Sequence, residues 1–332
     1  MIRRTLHRLL LAGLFGLAAA SAWAEAPAAP APRVSMIFVG DLMLDDTPGR
    51  VIRRGRDPLK PFAAELAAAD IRIGNLECVV ATTGSAEPDK PYTFRAHPRT
   101  LKVLQHRFDA VSLANNHSGD FGPVAFAQML GLLDGAGIRH FGGGLDLASA
   151  HMPLIIERQG LRIALLGYDE FFPRHFEADA DKPGIAWSED EQVRLDIHRA
   201  RSVFHADLVI PFMHWGWEHE PLASSRQRQL ARLMIDAGAD AVIGSHPHVT
   251  QDIEFVKGKP VIYSLGNFVF DGFDQPINNT GWLLRLELDR DGVAAWRTTV
   301  ARIDREGTPH PDRRTPGQCW QRGMAQQAAC ER

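Results

Sequence analysis

No cysteine stands near the N-terminus, so the lipid-modified start of a lipoprotein is excluded. No surplus of basic residues exists. Lysine and arginine total 37 against 40 aspartates and glutamates, a formal charge of −3. That balance excludes nucleic acid or an anionic membrane surface as the main partner. No apolar run beyond residue 24 is long enough for a membrane span of about 20 residues. No internal repeat is visible, so the chain reads as one large globular domain or a domain with insertions.

What is present begins with an export pattern. Residues 1–24 carry Arg3, Arg4 and Arg8, then an apolar stretch from Leu9, then Ala22-Trp23-Ala24. A basic start, a short apolar segment and a small-x-small site predict a cleavable signal peptide; an uncleaved anchor is the alternative. Its loss takes the formal charge from −3 to −6, because three arginines leave with it. Residues 25–33 are a Pro/Ala-rich tether. The mature chain is expected to be secreted into the periplasm. In an oxidising compartment Cys319 and Cys330 are expected to pair, with two free thiols as the alternative; Cys78 reads as a small buried hydrophobe.

Seven short apolar segments, starting near residues 34, 70, 109, 162, 206, 239 and 260, read as buried strands. Helix-like stretches lie between several of them: PFAAELAAA, PVAFAQMLGLLDGAG and RQRQLARLMIDAG. Alternation of this kind predicts an α/β domain with a largely parallel sheet. GWLLRLELD and GVAAWRTTVARID, joined by Arg290-Asp291-Gly292, predict a hairpin. The domain is expected over residues 34–304, with 305–332 a Pro/Gly/charge-rich tail in loop conformation.

Polar side chains gather at the C-terminal ends of these runs. Asp41 follows IFVG; Asn75 and Glu77 follow IRIG; Asn115, Asn116 and His117 follow VSLA. His214 follows VIPFM; His246 and His248 follow AVIGS; Asn267 follows YSLG. That sheet edge is where open α/β sheets bind ligands. Buried polar groups cost free energy unless paired, so folding alone does not account for six such ends.

Asp41, Glu77, Asn116, His214, His246 and His248 mix carboxylate, amide oxygen and imidazole. The mixture suits one or two divalent ions, Mn, Zn or Fe, better than Mg or Ca. His246 and His248 sit at i and i+2, and in an extended segment they would share a face, one per ion, with Glu77 or Asp41 bridging. A bound ion acidifies water, and His117 beside it is placed to act as acid or base. These parts serve phosphoester hydrolysis, amide hydrolysis or epimerisation alike. Isolated His140, His151 and His175 read as structural; Asn115 reads as a turn cap, and Asp45 and Asp46 as loop residues. Arg95 and His97 are candidates for an anionic substrate group. Trp215, Trp217, Glu218 and His219 are candidates for the rim, with plain packing as the alternative. Tyr263, Asn267 and Phe268 would support the site, Asn267 also being a candidate contact to substrate.

FVGDLML, GNLECVV, PYTFRAHP, LANNHSGDFG, HWGWEHE, GSHPHVTQ and KPVIYSLGNFVFD, in this order, resemble the CapA/PgsA family of poly-γ-glutamate capsule-synthesis proteins, within the calcineurin-like metallophosphoesterase superfamily. The resemblance covers about Val34 to Phe270. It implies a four-layer α/β/β/α sandwich with metals at the strand ends. It assigns Asp41 to the first-motif aspartate and Glu77 to the second-motif carboxylate. Asn116 becomes a ligand, His117 the catalytic histidine with Asp41 beside it, His214 the lone histidine, and Gly244 to His248 the histidine pair. The superfamily's D-x-H is here Asp41-Leu42-Met43, and Asn75 stands in a region where aspartate is usual. Both departures weaken the first metal position, while Glu77, Asn116, His214 and His246 form the complete one. The resemblance implies a hydrolase-type metal protein working on an anionic polymer or small anionic substrate, with a membrane synthase as a partner. A non-catalytic scaffold or polymer-binding subunit, a periplasmic phosphodiesterase and a metal-assisted epimerase are the alternatives.

Overall fold

Period-2 alternation in the strand Val34–Leu42 shows how the layers form. Met36 and Phe38 enter one buried cluster, Ile37 and Val39 another, so both faces of the strand are covered. A strand buried on both sides reads as an unbroken apolar run, which is why these segments lack a polar face. A computed structural model describes residues 33–174 and 176–331. The expected signal peptide, the tether up to residue 32, and His175 lie outside the described residues.

Two sheets result. The first runs Ala328–Ala329, Gln318–Gln321, Gly292–Ile303, Thr280–Asp289, Val34–Leu42, Ile71–Leu76, Ala110–Ser112, Arg139–Phe141. The second runs Ile253–Val256, Lys259–Ile262, Val242–Ser245, Leu208–His214, Leu161–Asp169, Leu154–Arg158. Each has a parallel core of four strands, with antiparallel strands on one side of it in the first sheet and on both sides in the second. Phe38, Ile73, Ile163, Ile210, Phe212 and Leu284 belong to the cluster held between the sheets. The outer face of the first sheet packs on the helix Gly122–Gly135 through Phe126, Met129 and Leu133. The outer face of the second packs on Asp190–Ser202 and Ser225–Ala237 through Val193, Ile197, Leu230 and Met234. Full burial of each such side chain contributes roughly 1.5–3 kcal/mol. The order of layers is α/β/β/α, as expected.

Helix ends follow local chemistry. Ser224 caps Ser225–Ala237 by accepting from Gln227 N, and Gln227 returns a bond to the cap; Gly238 closes the helix at φ 116°. The helix Asp190–Ser202 was not among the stretches predicted. Its apolar residues are sparse among charged ones, although Val193, Ile197 and Ala200 form its buried stripe.

Three expectations are corrected. The run from Pro260 to Phe270 is two strands: Lys259–Ile262 pairs in the second sheet, whereas Asn267–Val269 pairs with Val34–Leu42 in the first. Gly266, at φ 66°, stands at the crossing between them. The tail beyond Arg305 is not simply loop: Gln318–Gln321 pairs with Gly292–Ile303, and Cys319 is bonded to Cys330. The Pro/Gly-rich stretch before it masked a strand only four residues long. Finally, His246 and His248 are not on extended backbone. Their φ values are 100° and 55°, and they follow the strand Val242–Ser245 in a turn. The expected Thr280–Asp289 and Gly292–Ile303 hairpin is present.

Candidate metal centre

The parallel strands of both sheets point their C-terminal ends at one place. Asp41 and Asn75 are register partners in the first sheet, and Ser112 is Asn75's neighbour on the other side; three and four residues on lie Asn115 and Asn116. Across from them, His214 is in register with Ser245. His246 follows immediately. Close packing at this end leaves no room for a side chain at Gly244, where a Cβ would lie 2.1 Å from Tyr263 O and 2.3 Å from Trp215 Nε1. Trp215 is wholly buried and donates to Tyr263 O at 2.8 Å, so it is packing rather than rim.

Two groups of donor atoms converge: Glu77, His214 and His246 in one, Asp41, Glu77 and His248 in the other. Glu77 belongs to both. His214 Nε2 lies 2.9 Å from Asn116 Oδ1, 3.0 Å from His246 Nδ1 and 3.7 Å from Glu77 Oε1. His248 Nε2 lies 3.9 Å from Glu77 Oε1. One histidine of the H-P-H pair stands in each group, brought there by positive-φ turns. Such backbone costs about 1–3 kcal/mol per residue and persists where the surroundings over-determine it.

The donors are oriented by a surrounding layer. Asn267 Oδ1 is 2.8 Å from His248 Nδ1, so Nδ1 donates there and Nε2 is left to face Glu77. Asn75 Nδ2 donates to Asp41 Oδ1 at 2.8 Å and lies 3.1 Å from His214 Nδ1. Asn115 Nδ2 donates to Asn75 Oδ1 at 3.0 Å. Asn75 thus takes over the orienting work next to Asp41. Met43, two residues after Asp41, is buried in the core beneath the first sheet.

Without a cation this cluster is electrostatically frustrated. Burial pushes the Asp41 carboxyl up to about 6, and burial together with Asp41 pushes Glu77 well above its ordinary value. Burial and mutual repulsion push His214 and His246 well below theirs, and burial takes His248 down to about 3. Among the described residues, both carboxylate oxygens of Glu77 and Nε2 of His246 have no hydrogen-bond partner, although they are buried. Orphaned acceptors of this kind are rare and need a reason. A divalent ion supplies one, since oxygens and neutral imidazoles are its ligands. The donor set therefore fits a divalent metal ion.

His117 stands beside the donors. Its Nε2 is 4.0 Å from Glu77 Oε1, and its Nδ1 is 2.8 Å from Asp120 Oδ2. Asp120 also accepts from Phe94 N at 2.7 Å and from Lys90 Nζ at 2.5 Å, while Lys90 reaches Asn116 O at 2.6 Å. Asp120 and Lys90 were missed in the sequence. Asp120 sits three residues after His117, and that i, i+3 spacing was the available signal. Lys90 comes from a distant loop, and nothing local marks it.

Lys90, Asn116 and His117 line a cavity of about 520 Å³, with Asp169, Trp187 and Glu218 on its other walls. Asp169 was also missed; it is buried at the end of Leu161–Asp169, and burial pushes its carboxyl up to about 8.

Three expected substrate contacts are placed elsewhere. The Arg95 guanidinium donates to Thr83 O and Gly84 O and lies 4.3 Å from the centre of the Phe121 ring. His97 Nδ1 accepts from Arg99 N, capping a short helix on the surface. Asn267 is engaged by His248 and by Asn278 O. None of the three lines the cavity. Trp217 is exposed, and His219 Nδ1 meets Asn278 Nδ2 at 2.7 Å. Tyr263 and Phe268 are buried. His151 pairs with Asp196 at 2.7 Å and His140 lies 3.4 Å from Asp134, away from the donor groups.

The family described as bacterial capsule synthesis protein PGA_cap matches residues 35–272. The chain belongs to this family. It is 33% identical over 284 residues to the PGA biosynthesis protein CapA of Bacillus subtilis, covering 84% of this chain and 73% of that one. It is 30% identical over 308 residues to the capsule biosynthesis protein CapA of Bacillus anthracis, covering 88% and 74%. Among solved structures, the NAD nucleotidase of Haemophilus influenzae matches with a TM-score of 0.45 and 13% identity. That match covers 85% of this chain and 54% of the nucleotidase, about half its length. The sulfate thiohydrolase SoxB of Thermus thermophilus matches with the same TM-score and identity over 80% and 56%.

Proposed function

We propose that this chain is an exported, metal-dependent hydrolase of a cell-envelope polymer, poly-γ-glutamate or a related chain. The observation that carries the reading is Glu77: a buried carboxylate without hydrogen-bond partners, shared by two imidazole-bearing donor groups. Glu77, Asn116, His214 and His246 would hold one ion; Asp41, Glu77 and His248 would hold a second. When bound, such ions supply Lewis-acid polarisation and acidified water. The chain's own contribution is His117, whose Nδ1 is held by Asp120 so that Nε2 is presented toward Glu77 and the cavity. That is the arrangement of a general acid or base oriented by a carboxylate. Export is supported by the basic-apolar-small pattern of residues 1–24 and by the Cys319–Cys330 bond, which belongs to oxidising compartments. Among the described residues no helix is long and apolar enough to cross a membrane.

The test is elemental analysis of purified protein together with turnover of aryl phosphodiesters and γ-glutamyl peptides by wild type and His117→Ala. Stoichiometric Mn, Zn or Fe, with turnover lost in the variant, supports the reading; protein free of metal and unaltered by adding it refutes it.

A second reading is favoured by Met43 in place of an imidazole: a non-catalytic subunit whose ions only hold the fold, docking polymer or a membrane synthase. Relatives in Mycobacterium tuberculosis are described as probable polyglutamine synthesis accessory proteins. A His117→Ala chain that keeps its metal and fully restores a deletion phenotype would select this reading.

A further inference from the structure

The cavity beside the metal centre has a charge pattern opposite to that of a polyanion site. Among the described residues its lysine and its arginine are already engaged. Lys90 binds Asp120 and Asn116 O, while Arg174 binds Glu177 and Glu189 and lies 5.1 Å from the centre of the Trp187 ring. Glu87, Asp89 and Glu218 also line it, and among the described residues none of these three has a lysine or arginine partner. Glu218 is close enough for its charge to act on Glu77 and His117. Tyr92, Phe171, Phe176 and Trp187 supply aromatic wall. Such rings attract cations, and Arg174 on Trp187 is an intramolecular instance.

The two ends of the site therefore differ in sign. Two divalent ions on Asp41 and Glu77 would leave the inner end positive, suited to an electron-rich carbonyl or oxyanion. The outer end is negative and aromatic. A volume of about 520 Å³ is that of a small-ligand pocket.

We infer that this cavity recognises a primary ammonium group next to the carbonyl or oxyanion held at the metals, so that the protein works on the amine-bearing end of its substrate and not within a run of carboxylates. This rests on the hydrolase reading for what happens at the metals, but the preference for an ammonium group belongs to the cavity walls alone.

Titration calorimetry with the γ-glutamylglutamate dipeptide and its N-acetyl derivative isolates the ammonium, because both carry the same carboxylates. It would be run on metal-free wild type and on Mn-loaded His117→Ala, which keeps the ligand intact. The free-amine dipeptide is expected to bind about tenfold more tightly, in line with several partly exposed charge pairs. Glu218→Gln and Glu87→Gln, both on accessible side chains, should each reduce that preference severalfold, and salt should weaken it. Equal affinity, a preference for the acetylated form, binding of chitobiose in place of the dipeptide, or no binding of the free-amine dipeptide to either form overturns the proposal. A clear ammonium preference in protein that takes up no metal or turns nothing over leaves the cavity assignment standing and removes only the hydrolase reading.

Discussion

Asp120 Oδ2 lies 2.8 Å from His117 Nδ1, so a single carboxylate sets which imidazole nitrogen faces Glu77 and the other donors. The same carboxyl group is held by Lys90 and by Phe94 N. Replacing it with an amide keeps the shape and removes the preference for one tautomer. Asp120→Asn is expected to lower turnover by about 10²–10⁴-fold. Metal content, measured by elemental analysis, should not change. Equal turnover in the variant would show that His117 needs no carboxylate behind it.

Glu77 carries the opposite trade. In metal-free protein its buried, unpartnered oxygens beside Asp41 are a cost to the fold. Glu77→Gln should raise the melting temperature of the metal-free chain while abolishing the gain produced by added Mn or Zn. Thermal scans with and without metal read both effects; a variant that still gains stability with metal would displace Glu77 from its bridging place.

Acid should unfold the metal-free protein through its histidines. His248 falls to about 3 in the fold against an ordinary value near 6.5. Between those values the unfolded chain binds more protons than the folded one, so stability falls as pH drops from 6.5 toward 3. His214 and His246 shift the same way. Asp41, raised to about 6, opposes them between 3.8 and 6, because its folded form holds the extra proton. Counting the donor residues alone, three depressed imidazoles outnumber two raised carboxyls, so this cluster weakens the acid side, while Asp169, raised to about 8, opposes it between 3.8 and 8. Metal affinity should fall below pH 6 as well, since a ligand carboxylate must lose its proton. Denaturant melts and metal titrations from pH 4 to 8 check both slopes.

Gly244 is a packing requirement. A methyl group there would sit 2.1 Å from Tyr263 O, and strand backbone on both sides cannot move away independently. Gly244→Ala is expected to cost about 1–3 kcal/mol or more, measured by denaturant midpoint. A smaller loss would mean that the sheet end yields.

The Cys319–Cys330 bond closes a short loop against the strand Gln318–Gln321. Replacing both cysteines with serine should lower stability by up to about 3 kcal/mol on a chain-entropy estimate. The metal centre lies at the strand ends of the parallel cores, so metal uptake should be unaffected; loss of metal in the double variant would link the tail to the site.

Much of the architecture was legible because buried parallel strands must be apolar on both faces. Val34–Leu42, Leu208–His214 and Val242–Ser245 stand out for that reason, and polar residues at their ends are conspicuous by contrast. Asp190–Ser202 was not legible: its buried stripe is narrow and its charged residues dominate the count. Lys259–Ile262 and Asn267–Val269 read as one strand because a change of sheet leaves no mark in composition beyond Gly266. Arg95 and His97 look like anion ligands by residue type, but a guanidinium with two carbonyls and a ring at hand satisfies itself within its own neighbourhood.

By itself the sequence determined the layers and the donor types, because burial demands apolar periodicity and a polar residue at a strand end stands against that background. Only the tertiary structure decided which donors converge, that Glu77 belongs to both groups, and that Asp120 and Lys90 stand behind His117. Those relations depend on how strand ends from two sheets and a distant loop meet within a few ångströms, and separation along the chain carries no record of such distances.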